Sequence, residues 1–353
     1  MTRKIFISAL GLAVASSAFA ADDSIKFGMN TKFDFTPWQE NKVTSTAKTY
    51  KEKGWELGET DFILSKNLQD NMEGKIVGRY HDGRKNYPTK EFYLAEANLT
   101  FNNILPNLHA TIGKIDVPFA EAYSPVGIDS YIVETANVDT IAQDPSKTAS
   151  MLATLLGQKI ETYGATLKYD FGKMGDFALS VFENADKTAG TVKETDPDTG
   201  YSQSYAGKLT LKPLEGLRAS VSYMNEHNGV PATTTDKKDR DSYSAAFKYD
   251  FSKIEVFAEY VGGKDFNESK VAIISGGAGF KFTEKYALSG MYESYSNEPK
   301  TGTKLTATKI AVGPSAQINK DVKAYFTVIS EEAKYAPEKT KATAAKFRLT
   351  YSF

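Results

Sequence analysis

The last nine residues of the chain, 345–353, read AKFRLTYSF and decide the fold class. Apolar side chains stand at every odd position, and Lys346, Arg348, Thr350 and Ser352 stand between them. Successive side chains of a β-strand point to opposite faces, so a strict two-residue alternation gives one apolar face and one wet face. The stretch therefore predicts an amphipathic strand.

The same alternation recurs through the rest of the chain. Each segment is about ten residues long, the length that a tilted strand needs to cross the hydrocarbon layer of a membrane. We count sixteen segments, at 24–35, 55–65, 72–81, 91–101, 107–116, 159–171, 176–184, 202–212, 216–225, 241–251, 253–262, 271–282, 285–295, 304–316, 321–330 and 343–353. Short links are expected after even-numbered strands and longer ones after odd-numbered strands, as in outer-membrane barrels.

Composition separates a membrane barrel from helical membrane proteins. Mean hydropathy is −0.40, and no run of eighteen apolar residues occurs, which excludes helical spans. The 20 Tyr and 21 Phe suit the aromatic girdles of a barrel. Unpaired backbone groups are costly in lipid, so the sheet must close. We predict an all-β, transmembrane, antiparallel up-and-down β-barrel of about sixteen strands, too wide to fill with side chains and therefore holding water.

The start of the chain predicts export. Arg3 and Lys4 precede an apolar run from Ile5 to Val14, and Ala18-Phe19-Ala20 supplies small residues at a cleavage site. We expect a signal peptide at 1–20 and a barrel at 21–353. Without the two basic residues of the signal, 43 − 2 = 41 Lys and Arg face 44 Asp and Glu, which gives no support to a nucleic-acid partner. The chain has no Cys, and we expect no cofactor and no metal.

The longest predicted link, 117–158, is the third external loop and the candidate constriction of the channel, because uncommitted loops of that length are usually functional. Asp144-Pro145 followed by apolar residues to Leu156 predicts a short helix within it. We expect acids of the loop to oppose basic residues of the wall, so that charge tunes selectivity. The candidate constriction residues are Glu121, Asp129, Glu134, Asp139 and Asp144 on the loop, and Lys75, Arg79, Lys208, Arg218 and Lys248 on the wall.

Three stretches carry a family resemblance. The segment 113–119, GKIDVPF, resembles the strand-to-loop segment of phosphate-selective and siderophore-associated porins, and 123–135 and 93–101 continue the similarity. The ending on Phe353 resembles the terminal strand of bacterial outer-membrane barrels. The resemblance implies an outer-membrane porin that passes small hydrophilic solutes or ions by passive diffusion, is surrounded by lipid, folds its third loop inward and forms a homotrimer. The acidic loop departs from the phosphate-channel pattern, which puts anion specificity in doubt.

Other functions remain open at this point. A substrate-selective porin of the phosphate or siderophore type is one alternative, and a non-conducting adhesin is another. A barrel enzyme would need a site assembled in space, for which the sequence offers His81, His109 and His227 but no recognisable Ser-His-Asp arrangement.

Overall fold

Sixteen antiparallel strands form a closed barrel in the computed structural model of the protein, each paired with its neighbours along the chain and the last with the first. The structure describes residues 25–43, 48–69, 71–82, 90–121, 123, 125–127, 161–183, 203–229, 238–264, 268–335 and 338–353. The strands are β1 Ile25–Val43, β2 Lys48–Gln69, β3 Met72–Asp82, β4 Lys90–Leu105, β5 Leu108–Asp116, β6 Glu161–Asp170, β7 Gly175–Glu183, β8 Gln203–Leu214, β9 Leu217–Gly229, β10 Lys238–Phe251, β11 Ile254–Lys264, β12 Lys270–Lys281, β13 Tyr286–Glu298, β14 Leu305–Gln317, β15 Val322–Tyr335 and β16 Glu338–Ser352.

The seam between β1 and β16 closes the barrel and confirms the predicted strand at the end of the chain. Phe33 lies opposite Leu349, and Asp34 lies opposite Arg348. At the end of the seam the backbone N–H of Phe353 donates to the carbonyl of Met29 at 3.1 Å, and Met29 returns the bond at the same distance. Closure leaves no strand edge, which is the condition for a sheet to survive in hydrocarbon.

The two faces of the wall differ as the alternation predicts. Val221, Ile274 and Ile310 are each more than half exposed on the outer face, at 54%, 54% and 56%. In a water-soluble protein such a surface would be costly, whereas on a barrel it faces lipid. The intervening positions, such as Ser222 and Ser275, are buried on the inner face.

Several strands run further than their alternation indicated. The stretch 36–54 reads as a loop, yet β1 continues to Val43 and β2 begins at Lys48. The alternation does not show this extension because a β-bulge between Phe35 and Trp38 inserts one residue into β1. After the bulge, the side chains that face outward are at even positions instead of odd ones. The links at 44–47 and 336–337 are short although they follow odd-numbered strands, so the expected rule of link length holds only in part.

Helix is scarce in the described ranges. A single 3₁₀ turn, Gly172–Met174, connects β6 to β7. In that part of the chain no helix is long and apolar enough to cross a membrane. The helix expected after Asp144 lies outside the described residues.

Candidate channel constriction

The chain turns into the barrel where β5 ends. We call residues 117–127 the inward segment; 117–121, 123 and 125–127 of it are described. Strand β5 is only 9 residues long, so the segment leaves the wall well before the rim reached by β1 and β2. Its contacts are with the inner faces of strands between β7 and β16, which one short segment can reach together only from inside the barrel. The described part of the loop is therefore folded inward.

The first half of the inward segment is bound by three wall strands. The backbone N–H of Ala120 donates to Ser222 Oγ of β9 at 3.1 Å, and the N–H of Glu121 donates to Glu259 Oε1 of β11 at 2.7 Å. Lys208 of β8 donates from Nζ to the Ala120 carbonyl at 2.6 Å. Loop backbone groups buried away from water need such partners, and the wall side chains supply them.

The second half is bound by the strands next to the seam. Thr327 Oγ1 of β15 donates to the Val126 carbonyl at 2.7 Å, and Arg348 Nη1 of β16 donates to the Gly127 carbonyl at 2.7 Å. Gly127 has φ +70°, and any Cβ added there would overlap the ring of Tyr325. The segment thus passes so close to the wall that only glycine fits at this position.

Apolar contacts hold the segment between these polar anchors. Val117 packs with Phe182, Ala206 and Met224. Phe119 packs against this cluster and also against the cluster that contains Ala120. Ala120 joins a cluster that includes Val261, Ile273 and Tyr295. Val126, with Tyr123 packed beside it, contacts Phe257, Met291, Ala311 and Ile329. The inner wall therefore carries apolar side chains where a lumen otherwise holds polar ones.

Glu121 is the candidate acid that the structure places within the inward segment. Its carboxylate lies 3.0 Å from Lys208 Nζ and 3.1 Å from Arg218 Nη2. Burial raises the pKa of the Glu121 carboxyl, but the two adjacent cations outweigh burial and hold that pKa below its usual value. Three of the ten candidate residues, Glu121, Lys208 and Arg218, are thus brought together in one ion-pair cluster.

The remaining wall candidates lie in other ion pairs. Lys248 of β10 contacts Glu255 at 2.9 Å and Asp250 at 3.4 Å, and its Nζ lies 5.7 Å from the centre of the Tyr123 ring. Candidates Lys75 and Arg79 lie on β3, away from this cluster.

Lys75 contacts Glu96 at 2.8 Å, and Arg79 binds both carboxylate oxygens of Asp61 at 2.5 and 3.0 Å. These basic residues of β3 and β10 are therefore paired with acids of the wall itself and not with acids of the loop alone. The candidates Asp129, Glu134, Asp139 and Asp144 lie outside the described residues.

Sequence reasoning did not select three side chains that bind the segment, Ser222, Glu259 and Thr327. It also did not select Gly127 and Tyr325, which meet where the segment passes closest to the wall. A signal was nevertheless present. Phe257, Ile273, Met291 and Ile329 are apolar at positions where the alternation predicts side chains facing water. Apolar residues on the wet face of several strands mark the place where another part of the chain packs.

Comparison with known proteins agrees with this architecture. A family model described as Gram-negative porin matches residues 7–334. No curated protein sequence matches the chain.

Solved structures of similar fold include the outer-membrane channel DcaP of Acinetobacter baumannii, with 13% identity, a TM-score of 0.63 and coverage of 93% of this chain and 97% of that one. The anion-selective porin of Comamonas acidovorans has 10% identity, a TM-score of 0.59 and coverage of 94% and 99%. The trimer form of OmpT of Vibrio cholerae has 11% identity, a TM-score of 0.56 and coverage of 94% and 100%. At these identities the likeness concerns the fold alone.

Proposed function

The chain belongs to the Gram-negative porin family, and on that premise we propose that its inward segment is the constriction that sorts solutes by size and charge. The protein is a channel of the bacterial outer membrane through which small solutes pass by passive diffusion. The constriction is proposed to be formed by Glu121 with the wall residues Lys208, Arg218 and Lys248. Lys75 and Arg79 are proposed to line the opposite side. Asp129, Glu134, Asp139 and Asp144 belong to the same proposal as further acids of the loop.

One observation carries this proposal: side chains of five different strands bind the backbone of the inward segment. They are Lys208, Ser222, Glu259, Thr327 and Arg348. Each hydrogen bond makes a net contribution of about 1 kcal/mol to stability, so the five together hold the segment firmly against its side of the barrel. A segment fixed inside a water-filled tube narrows the path that a solute follows.

The test uses Glu121. Because the pKa of Glu121 is lowered, its ion pairs with Lys208 and Arg218 stabilise the docked segment at pH values above the usual glutamate pKa. This stabilisation is lost as the pH falls through the lowered pKa. We expect single-channel current in planar bilayers to be steady from pH 8 to pH 5 and to show brief closures on further acidification. A detached segment can move only into the open part of the lumen, because the wall blocks every other direction.

The matching variant is Glu121→Gln, which should show these closures already at neutral pH. Glu73→Gln is the control, because Glu73 faces the lumen from β3, a strand that supplies none of the five side chains that bind the inward segment. Steady wild-type current from the Glu121→Gln channel at every pH would contradict the proposed constriction.

The assembled form is a further part of the proposal. We propose that residues 1–20 are removed as a signal peptide and that three mature chains associate, as the trimer form of OmpT does. Native mass spectrometry of protein extracted from the outer membrane should give three times the mass of a chain beginning at Ala21. A peak for single chains that retain Met1, or for any other number of copies, would contradict this.

An enzymatic role has little support from the described histidines. His109 Nδ1 contacts the Asn102 side chain at 3.1 Å, and His227 Nδ1 contacts Asp239 at 2.9 Å. The Ser204 hydroxyl accepts the backbone N–H of His227 at 3.1 Å. We propose that the protein has no hydrolytic activity; release of product in ester or peptide hydrolysis assays that is lost in a His227→Ala variant would contradict this.

A further inference from the structure

The outer face of β15 and β16 changes from apolar to basic towards the external rim. On β15 the exposed side chains Phe326 and Val328 lie in the lipid-facing band, and the next outward positions are Ser330, Glu332 and Lys334. The outward positions of β16 follow the same order, from Phe347 and Ala345 to Thr343, Lys341 and Lys339. The lipid-facing band therefore ends close to Val328, and charged residues lie directly above it.

The height of these charged residues corresponds to the headgroup layer of the membrane. Glu332 lies four residues beyond Val328, and a strand rises about 3.3 Å per residue along its own axis. With a tilt of about 40°, Glu332 is about 10 Å nearer to the external side than Val328. The polar layer on each side of the hydrocarbon is about 5 to 8 Å thick. Lysine side chains at this height can reach the headgroups, because their stems are long and flexible.

Three lysines surround a single carboxylate at this height. Lys334 and Lys339 each lie 2.9 Å from the Glu332 carboxylate, and Lys341 lies 3.3 Å from it. Lys334 and Lys339 are also direct ladder partners, and like charges placed opposite one another destabilise an antiparallel pair. The four side chains carry three positive charges and one negative charge, an arrangement that stability alone does not favour.

The neighbouring strands do not remove this excess of positive charge. On the β14 side the ladder partners of the cluster are Thr306 and Thr308, which are neutral. On the β1 side the nearest outward positions are Glu40 and Lys42, which are one acid and one base. The outer face of the barrel is therefore positive at this point of the rim.

The lysines of the cluster are more accessible than its acid. The side chains of Lys334, Lys339 and Lys341 are 58%, 38% and 62% exposed, whereas that of Glu332 is 25% exposed. A molecule that approaches the outer face of the barrel at this height therefore meets ammonium groups before it meets the carboxylate.

We propose that Lys334, Lys339 and Lys341, which we call the rim cluster, bind the phosphate groups of glycolipids in the outer leaflet of the membrane. The outer leaflet of a Gram-negative outer membrane consists of glycolipids whose sugars carry phosphates, and basic clusters next to a lipid surface attract such headgroups. The acyl chains of the bound lipid lie against Phe326 and Val328. The inference concerns the outer surface of the barrel and is independent of the proposed constriction.

A second copy of the chain is a less suitable occupant of the rim cluster. A protein partner would remove the unmatched charges from water, and this desolvation is costly unless each charge is paired. A phosphorylated headgroup supplies the missing negative charge and leaves the lysines in a polar layer.

The test measures the binding of lipid A, the phosphorylated glucosamine lipid of the outer leaflet, to refolded protein in detergent by native mass spectrometry. Lipid A that carries both phosphates should bind at a lower concentration than the same lipid without phosphates. Inorganic phosphate at the concentration of the lipid should not displace it, because free phosphate lacks the acyl chains that contact the apolar band. Displacement at equal concentration would show that the cluster binds free phosphate and would contradict the lipid assignment.

Two variants change the rim cluster in opposite directions. The triple variant Lys334→Gln, Lys339→Gln, Lys341→Gln should raise the Kd for bisphosphorylated lipid A about 100-fold, because each basic residue near an anionic lipid surface contributes a factor of about five. Glu332→Gln removes the only carboxylate among the four side chains and should lower the Kd about fivefold for the same reason.

The matched control is the triple variant Lys270→Gln, Lys300→Gln, Lys304→Gln. It removes three exposed lysines from the same rim, but these lysines are matched by acids. Lys300 contacts Glu268, Lys304 lies 3.5 Å from Glu298, and Lys270 is the ladder partner of Glu298. Its Kd for lipid A should remain close to that of the wild type. Folding of each variant is checked by its resistance to unfolding in detergent before electrophoresis.

Three results would overturn the inference. The first is an equal Kd for the rim-cluster triple variant and the control triple variant. The second is equal binding of lipid A with and without its phosphates. The third is loss of the oligomeric mass in the rim-cluster triple variant with unchanged lipid binding, which would assign these lysines to a contact between copies of the chain.

Discussion

Replacement of Gly127 by alanine is expected to make the channel close about 30-fold more often than wild type. The added Cβ would overlap the Tyr325 ring, so the backbone must move away from the wall. That movement separates the Val126 and Gly127 carbonyls from Thr327 and Arg348. Two hydrogen bonds of about 1 kcal/mol each are lost, and about 2 kcal/mol corresponds to a 30-fold change in the ratio of detached to docked segment. Single-channel recording measures this ratio directly.

Gly172→Ala is the matched control for this variant. Gly172 also has a left-handed backbone, with φ +68°, but a Cβ there would meet no atom within 4 Å. Both substitutions carry the same cost of placing alanine in the left-handed region, and only Gly127→Ala adds the clash. Combining Gly127→Ala with Tyr325→Ala should restore steady current, because removal of the ring makes room for the methyl group. Equal closure rates in the Gly127→Ala and Gly172→Ala channels would contradict the docking described for the inward segment.

The second large effect is expected at the seam. Asp34 of β1 binds Arg348 of β16 through both carboxylate oxygens at 2.6 and 2.8 Å, and it lies 3.1 Å from Lys346. All three side chains are almost completely buried. Asp34→Asn leaves two buried cations facing a neutral amide. Breaking a buried ion pair in this way costs about 3 kcal/mol or more, so the free energy of unfolding in urea should fall by that amount.

Glu332→Gln provides the comparison for the seam variant. Glu332 also contacts several cations, Lys334, Lys339 and Lys341, but this cluster lies at the water-exposed end of β15. Exposed ion pairs contribute about 1 kcal/mol or less, so this variant should unfold almost as wild type does. Hydrogen exchange should show that Asp34→Asn opens first between β1 and β16. A loss of stability no greater than that of Glu332→Gln would show that the carboxylate does not hold the seam.

Much of the fold could be predicted because its signal is local. Alternation of apolar and polar residues depends only on the geometry of a strand, and lipid on one side and water on the other impose it on each strand separately. Segments such as 345–353 therefore predicted the strand, its outward face and the closed barrel without reference to any distant residue. The prediction was less accurate where a local feature broke the alternation, as the bulge between Phe35 and Trp38 does.

The constriction could be predicted only in part. The length of 117–158 and its acids indicated a functional loop. Glu121 was named for its charge and its place in that loop, and Lys208 and Arg218 for their charge and their inward-facing positions on predicted strands. Their partners were not, because those contacts join residues far apart in the chain: Thr327 meets Val126 across 201 positions, and Arg348 meets Gly127 across 221. The position of Arg218 directly opposite Lys248 likewise depends on the register between β9 and β10.

The sequence by itself thus determined that this protein is a closed, water-filled barrel, since the alternation within each strand indicates that one face meets lipid and the other meets water. Only the tertiary structure decided which side chains hold the inward segment and which charges remain exposed to the channel. Those properties depend on how strands are paired and on what crosses the lumen, and no single stretch of sequence contains that information.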